Sequence, residues 1–322
     1  MRLRLLVALL GVLLAGSTRA DAQAADSLAR GLDSSSVTAR ADAIARLSAL
    51  GLANISPAVR TRLMVLLETE GSTRFATAAD TADSDERFSG YIEELASLVV
   101  QFQDPRALRG LCLAGLDVSR DVQLFVVANA AASFPFLEEA WTSPLRQQGT
   151  LETWGRMLGA PSTSLSQAQQ LTIRQHVLAA SVTYPIGFLW AASLGQLGDL
   201  ASVAQTLATT STDPIVQSRA ATVQATLAAV QANLSNVALL TLSQEWLEGF
   251  CQGSAGSRHG ACQSLDNHFD NAIKHLGGNA NAARNVLDAL ISRASDAASI
   301  GDLSAQEASL VIGNATLVLS RL

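Results

Sequence analysis

The chain has almost no lysine, little cysteine or histidine, and few aromatics. Lys274 stands alone among the 22 basic residues, there are 3 cysteines and 4 histidines, and aromatics make up 5%. With 22 basic against 28 acidic residues the net charge is −6, and nothing resembles a run of cations. Affinity for phosphate polymers comes mainly from clustered Lys and Arg, so nucleic acid and anionic membrane surfaces are disfavoured as partners. His-Glu-x-x-His, paired Cys-x-x-Cys and a glycine loop leading to a lysine are all missing, which argues against the common metal and nucleotide enzymes. No cofactor or metal is expected. Strict apolar/polar alternation over more than four residues is nearly absent as well, and that excludes a half-buried sheet.

Apolar residues at three- and four-residue spacing recur almost everywhere instead, so the expected class is all-α. Three helices open alike: Ser35-Ser36-Val37-Thr38-Ala39-Arg40, Asp104-Pro105-Arg106-Ala107-Leu108-Arg109 and Asp213-Pro214-Ile215-Val216-Gln217-Ser218-Arg219. Serine or aspartate supplies an oxygen for the free amides of the first turn, and proline at the first helical position gives up no needed donor. The pattern predicts helices over 25–32, 37–49, 57–69, 86–102, 105–116, 120–132, 135–142, 148–158, 165–183, 187–197, 200–210, 214–231 and 235–250. The polar stretch 70–85 reads as an exposed loop.

Met1-Arg2-Leu3-Arg4 is basic, Leu5 to Ala15 is an apolar run of eleven, and Thr18-Arg19-Ala20 or Ala20-Asp21-Ala22 offers small residues for cleavage. Eleven residues are too few to span a bilayer, which takes about 20. Residues 1–22 therefore read as a secretory signal, and the protein as secreted or periplasmic, with no transmembrane segment once the signal is cut. Cleavage after Ala22 leaves 19 basic and 27 acidic residues, a net charge of −8. In an exported protein, Cys251 and Cys262 are expected to pair across the flexible Gly/Ser-rich stretch between them, a closure worth ~3 kcal/mol in the chain-entropy model. Cys112, inside the apolar stretch Leu108–Leu116, reads as a buried hydrophobe.

Asp26 to Leu67 resembles HEAT repeats: helix, tight turn, then a helix with an early arginine, a pattern that returns loosely at Asp104 and Asp213. The resemblance implies an irregular α-solenoid over residues 23–250 that offers a curved surface to another macromolecule. A compact irregular helical domain is the alternative, since Trp141, Trp154 and Trp190 sit where a regular array favours smaller residues. After a cysteine-closed loop at 251–262, the run Leu265-Asp266-Asn267, Asp270-Asn271-Ala272, Gly278-Asn279, Ala282-Ala283, Leu287 and Leu303-Ser304-Ala305-Gln306-Glu307 resembles a FIMAH-type three-helix module at 263–322. That resemblance implies an accessory role and carries no catalytic residues. Physically, Gly278-Asn279 is a helix stop and Ser304 with Glu307 a capping box.

The residues capable of chemistry stand singly, without partners in sequence. Ser193 in Ala191-Ala192-Ser193-Leu194-Gly195 lacks the strand and first glycine of a nucleophile elbow. His268 and His275 are seven apart, roughly 10 Å along a helix axis, too far to share one metal. Asp266 and Asp270 share a helix face and read as solvated. His176 and His259 have no orienting carboxylate nearby in sequence, and Phe134, Phe136, Trp141, Trp154 and Trp246 read as core. The expected function is a secreted non-catalytic interaction scaffold for a protein or extracellular polymer. The alternative is an exported hydrolase whose site is assembled from distant residues. Mass spectrometry of the protein released by its host is expected to show an N-terminus near Gln23 and a Cys251–Cys262 peptide lacking two hydrogens; an intact Met1 or two free thiols overturns this.

Overall fold

The computed structural model describes residues 27–74, 86–161 and 163–322; the signal-sequence expectation and residues 75–85 of the expected 70–85 loop lie outside them. Among the described residues there are helices and turns and no strand, so the chain is all-α. None of the described helices is long and apolar enough to cross a membrane. The chain divides into two compact units, residues 1–150 and 151–322.

In the first unit, α1 (Val37–Leu50) is capped by Ser36 and α2 (Pro57–Thr69) by Ser56, with Pro57 at its first position. They are followed by α3 (Glu86–Val100), α4 (Leu108–Ala114), α5 (Arg120–Ala128) and α6 (Ala130–Trp141). α1 and α2 both pack on α3, α2 also packs on α4, and α4 on α6. The expected helix 120–132 is broken at Asn129, and the one expected from Pro135 begins at Ala130, with Pro135 inside it. The Ser133 hydroxyl, 2.9 Å from the carbonyl oxygens of Val126 and Asn129, answers backbone at that junction. Nor does the exposed loop start at Glu70. Glu70–Arg74 continues as a helical turn, and the Glu70 carboxylate is buried, 3.5 Å from Arg40 and accepting from the Tyr91 hydroxyl at 3.3 Å. Burial and the Glu70 charge push the Tyr91 phenol up to about 12.

α7 (Gln147–Gly159) runs through the division, and the second unit continues with α8 (Gln167–Thr183), α9 (Pro185–Leu194), α10 (Ala201–Thr210), α11 (Pro214–Ala232), α12 (Asn236–Cys251), α13 (Gly256–Leu276), α14 (Ala280–Ser299) and α15 (Ala305–Ser320). Cys251 and Cys262 form the expected disulfide, with Cα atoms 6.0 Å apart. The 251–262 segment is not a loop, however. Cys251 ends α12, Cys262 lies in the second turn of α13, and only Gln252–Ala255 connects them. Gly253 and Gly256, at φ +73° and +62°, let the chain reverse in so few residues.

The division between the compact units falls at 150/151, not at the start of the 263–322 segment. α15 packs on α10 and α12 as well as on α14, and Arg258 on α13 bonds the Phe250 carbonyl at 2.9 Å and Glu307 at 2.7 Å. The helix stop and the capping box stand as expected: α13 ends at Leu276, Asn279 caps α14, and Ser304 and Glu307 cap each other.

Ala191 and Gly195, which in sequence only imitate an elbow, serve a helix crossing. A side chain on Gly155 would collide with the Ala191 carbonyl, and one on Gly159 with that of Gly195, so the two helices approach backbone to backbone. Gly155→Ala is expected to cost about 3 kcal/mol by overpacking and to lower the thermal midpoint by roughly 6–12 °C, read by circular dichroism. Gly260→Ala, mid-helix with open space around it, is expected to stabilise by about 0.5–1 kcal/mol.

Candidate functional site

α9 and α11 line a groove of about 630 Å³ within the second unit. Its apolar walls come from Leu189 and Trp190 on α9 and from Pro214, Ile215 and Val223 on α11. Ile215, at the first turn of α11, is 71% exposed. α11 starts where it does because Asp213 accepts the Ile215 amide at 2.8 Å and Pro214 occupies the first helical position. Ser218, Thr222 and Thr226 then fall on one helix face at four-residue spacing. The hydroxyls of Thr222 and Thr226 each donate to the carbonyl four residues back, at 3.1 and 3.3 Å.

Arg219 is the charged residue of this groove. Its guanidinium carbon lies over the Trp190 ring, 4.3 Å from the centroid, a cation–π contact. Among the described residues no carboxylate pairs with it and no hydrogen bond reaches its N–H groups. The corresponding arginines of the other two helix openers are answered. Arg40 meets Glu70 and Tyr91, and Arg109 pairs with Glu68 at 2.5 Å and Glu139 at 2.6 Å. A cation–π contact uses the charge of a guanidinium and leaves its N–H donors available for an acceptor.

The groove walls are held by a buried polar knot. The Asn314 amide of α15 donates to the Asp199 carbonyl at 2.8 Å and to the Ser243 hydroxyl at 2.9 Å, and its oxygen accepts from Gln231 of α11 at 2.8 Å. The Trp246 indole N–H donates to the Asp199 carboxylate. Gly198 sits so close to α11 that a Cβ there would fall 2.7 Å from the Gln231 nitrogen. The 198–200 turn, which leaves α9, is thereby fastened to α11.

The residues singled out in sequence are scattered, some in each unit. Ser193 lines the α9–α11 groove. His176 stacks on Trp154, ring centroids 5.1 Å apart. Cys251, Cys262, His259 and Asp266 come together around a second cleft of about 370 Å³, with His259 exposed on α13. Glu248 also lines it, its carboxyl pushed up by burial and by the nearby charges of Asp266 and Glu245. Asp266 and Asp270 do share a face, but both accept from the Gln244 amide, at 2.7 and 2.8 Å. The His268 ring nitrogen lies 2.6 Å from the Ser264 carbonyl of its own helix, and His275 sits in the last turn of α13. No group of three or more potential metal ligands occurs among the described residues. Trp154 and Trp246 are buried as expected, while Phe134, Phe136 and Trp141 are half-buried in the first unit. Cys112 is buried, and burial raises its thiol.

The pairing of Trp190 with Arg219 escaped the sequence reading, although one signal for it exists. Ile215, Val216, Thr222 and Val223 occupy the helical neighbours of Arg219, so no acid on its own helix can answer it. Compared with protein-family models, curated proteins and solved structures, the chain matches none.

Burial raises the Asp199 carboxyl above its ordinary value. A raised acid favours the folded state while protonated, so its contribution falls as pH climbs from the unfolded carboxyl range near 4 through the folded value, and stays low above it. Asp199→Asn keeps an oxygen for Trp246 and is expected to stabilise the protein at pH 7, with the gain over wild type shrinking toward pH 4 in urea titrations. A gain independent of pH overturns this.

Proposed function

We propose that the protein is an exported, non-catalytic helical interaction protein that engages a protein partner through the α9–α11 groove. The observation that carries this reading is the groove itself, an apolar trough of about 630 Å³ with an unanswered cation on its wall. Apolar surface rimmed by polar groups marks interaction sites, and stacked Trp and Arg residues are the side chains that most often dominate binding energy. The HEAT-like reading of the first part and the FIMAH-like reading of the C-terminal helices belong to the same proposal. The capped helix pairs support the first, and the capping box on Ser304 and Glu307 the second.

The test places a benzophenone side chain at Ile215, whose exposure keeps it out of the core, and irradiates the protein in its host's culture fluid. One recurring cross-linked protein is expected, lost when Thr222→Trp fills the trough from an exposed position. Cross-links unaffected by Thr222→Trp, or none above the dark control, overturn the interaction reading. Ester or amide hydrolysis lost in His176→Ala overturns the non-catalytic one.

A further inference from the structure

We infer that the α9–α11 groove takes a peptide segment that sets a single Asp or Glu carboxylate on Arg219 and apolar side chains on the walls around it. This deepens the interaction reading above and rests on it.

Three observations lead to this occupant. Arg219 is held in place by Trp190 at 4.3 Å while its in-plane N–H donors face no acceptor among the described residues. A fork of this kind matches a carboxylate in two parallel hydrogen bonds. Arg40 and Arg109, the arginines that follow the other two helix openers, already hold carboxylates. Arg219 differs in having none among the described residues, so an incoming acid completes it.

The second observation is the shape. A small-molecule pocket buries most of its ligand, whereas this trough has Ile215 on its rim at 71% exposure. An open trough between two helices suits side chains presented by a longer chain.

The third is the balance of charge. One cation stands among apolar walls and four hydroxyl residues, of which Thr222 and Thr226 already donate to their own helix. An acidic polysaccharide would bring many charges to a single guanidinium and little apolar surface for Leu189 and Val223. The chain's net charge of −6 also repels a strongly acidic tract at long range. One carboxylate flanked by apolar residues satisfies both conditions.

The experiment selects phage-displayed random dodecapeptides on the immobilised full-length protein and measures a synthetic peptide of the most enriched sequence by calorimetry. Selected sequences are expected to carry an Asp or Glu beside two or more apolar residues. Replacing that acid by its amide, or Arg219→Gln in the protein, is expected to weaken binding about 10- to 100-fold, the usual loss for one charge-assisted contact. Making both changes is expected to cost little more than either alone, because they remove the same interaction. Arg219→Gln is checked for an unchanged helical spectrum, and the peptide-side change tests the contact with wild-type protein. Selected peptides without acid enrichment, or additive losses in the double change, overturn the carboxylate inference while leaving the groove reading intact. Peptides insensitive to Thr222→Trp overturn the groove reading itself. Saturable, Arg219-dependent binding of alginate with no peptide selected overturns the inference in favour of an acidic polymer.

Discussion

Asn314 is the point on which the second unit closes. A buried side-chain amide must find partners for both its donors and its oxygen, because leaving any of them dry and unpaired costs on the order of 1–3 kcal/mol. Here the partners are Asp199, Ser243 and Gln231, from a turn and two helices well separated in sequence. That requirement fixes α15 against α11, α12 and the 198–200 turn in one register. The same contacts fix the floor behind the groove: Gln231 ends the helix that carries Arg219, and the Asp199 turn leaves the helix that carries Trp190. Asp199 accepts the Trp246 indole at the cost of holding a carboxylate in the interior, a cost that fully buried acids meet only with good hydrogen bonds.

Arginine plays a different part at each repeated helix opener. In the first, Arg40 is buried and meets Glu70 and Tyr91 across the unit. In the second, Arg109 bridges Glu68 and Glu139 from two helices. In the third, Arg219 meets, among the described residues, only the aromatic face of Trp190. One sequence device therefore produces two internal staples and, at Arg219, a half-buried guanidinium with no carboxylate beside it among the described residues. The difference lies in which residues the fold brings opposite the guanidinium, and nothing in the opener itself encodes it.

Close helix packing sets the other limit on this unit. Gly155 and Gly159 on α7 meet Ala191 on α9 and Gly195 just past its end, with no room for a Cβ at Gly155 or Gly159. In sequence those small residues looked like a poor imitation of a hydrolase elbow. Their spacing of four is what a helix crossing needs, since residues four apart share one face. Small residues there bring α9 deep into the unit and leave Trp190 on its remaining half-exposed face.

Much of the local structure was legible in the sequence. Helical periodicity gave the all-α class, Ser36, Asp104 and Asp213 marked helix starts, Gly278-Asn279 marked a stop, and Ser304 with Glu307 marked the last capping box. These are short-range effects, decided by a residue and its neighbours within one turn, so a linear reading reaches them. The Cys251–Cys262 bond was legible for the same reason, the two sulfurs lying eleven residues apart. The sequence alone did not decide where α6 begins, because Ser133 and Asn129 reorganise the backbone ahead of Pro135, nor that Glu70 is buried, because its partner Arg40 lies thirty residues away. Above all it did not decide the groove. A cation is free or paired according to which helices pack beside it, and that depends on long-range contacts such as Asn314 to Asp199, 115 residues apart; only the tertiary structure brings such residues together.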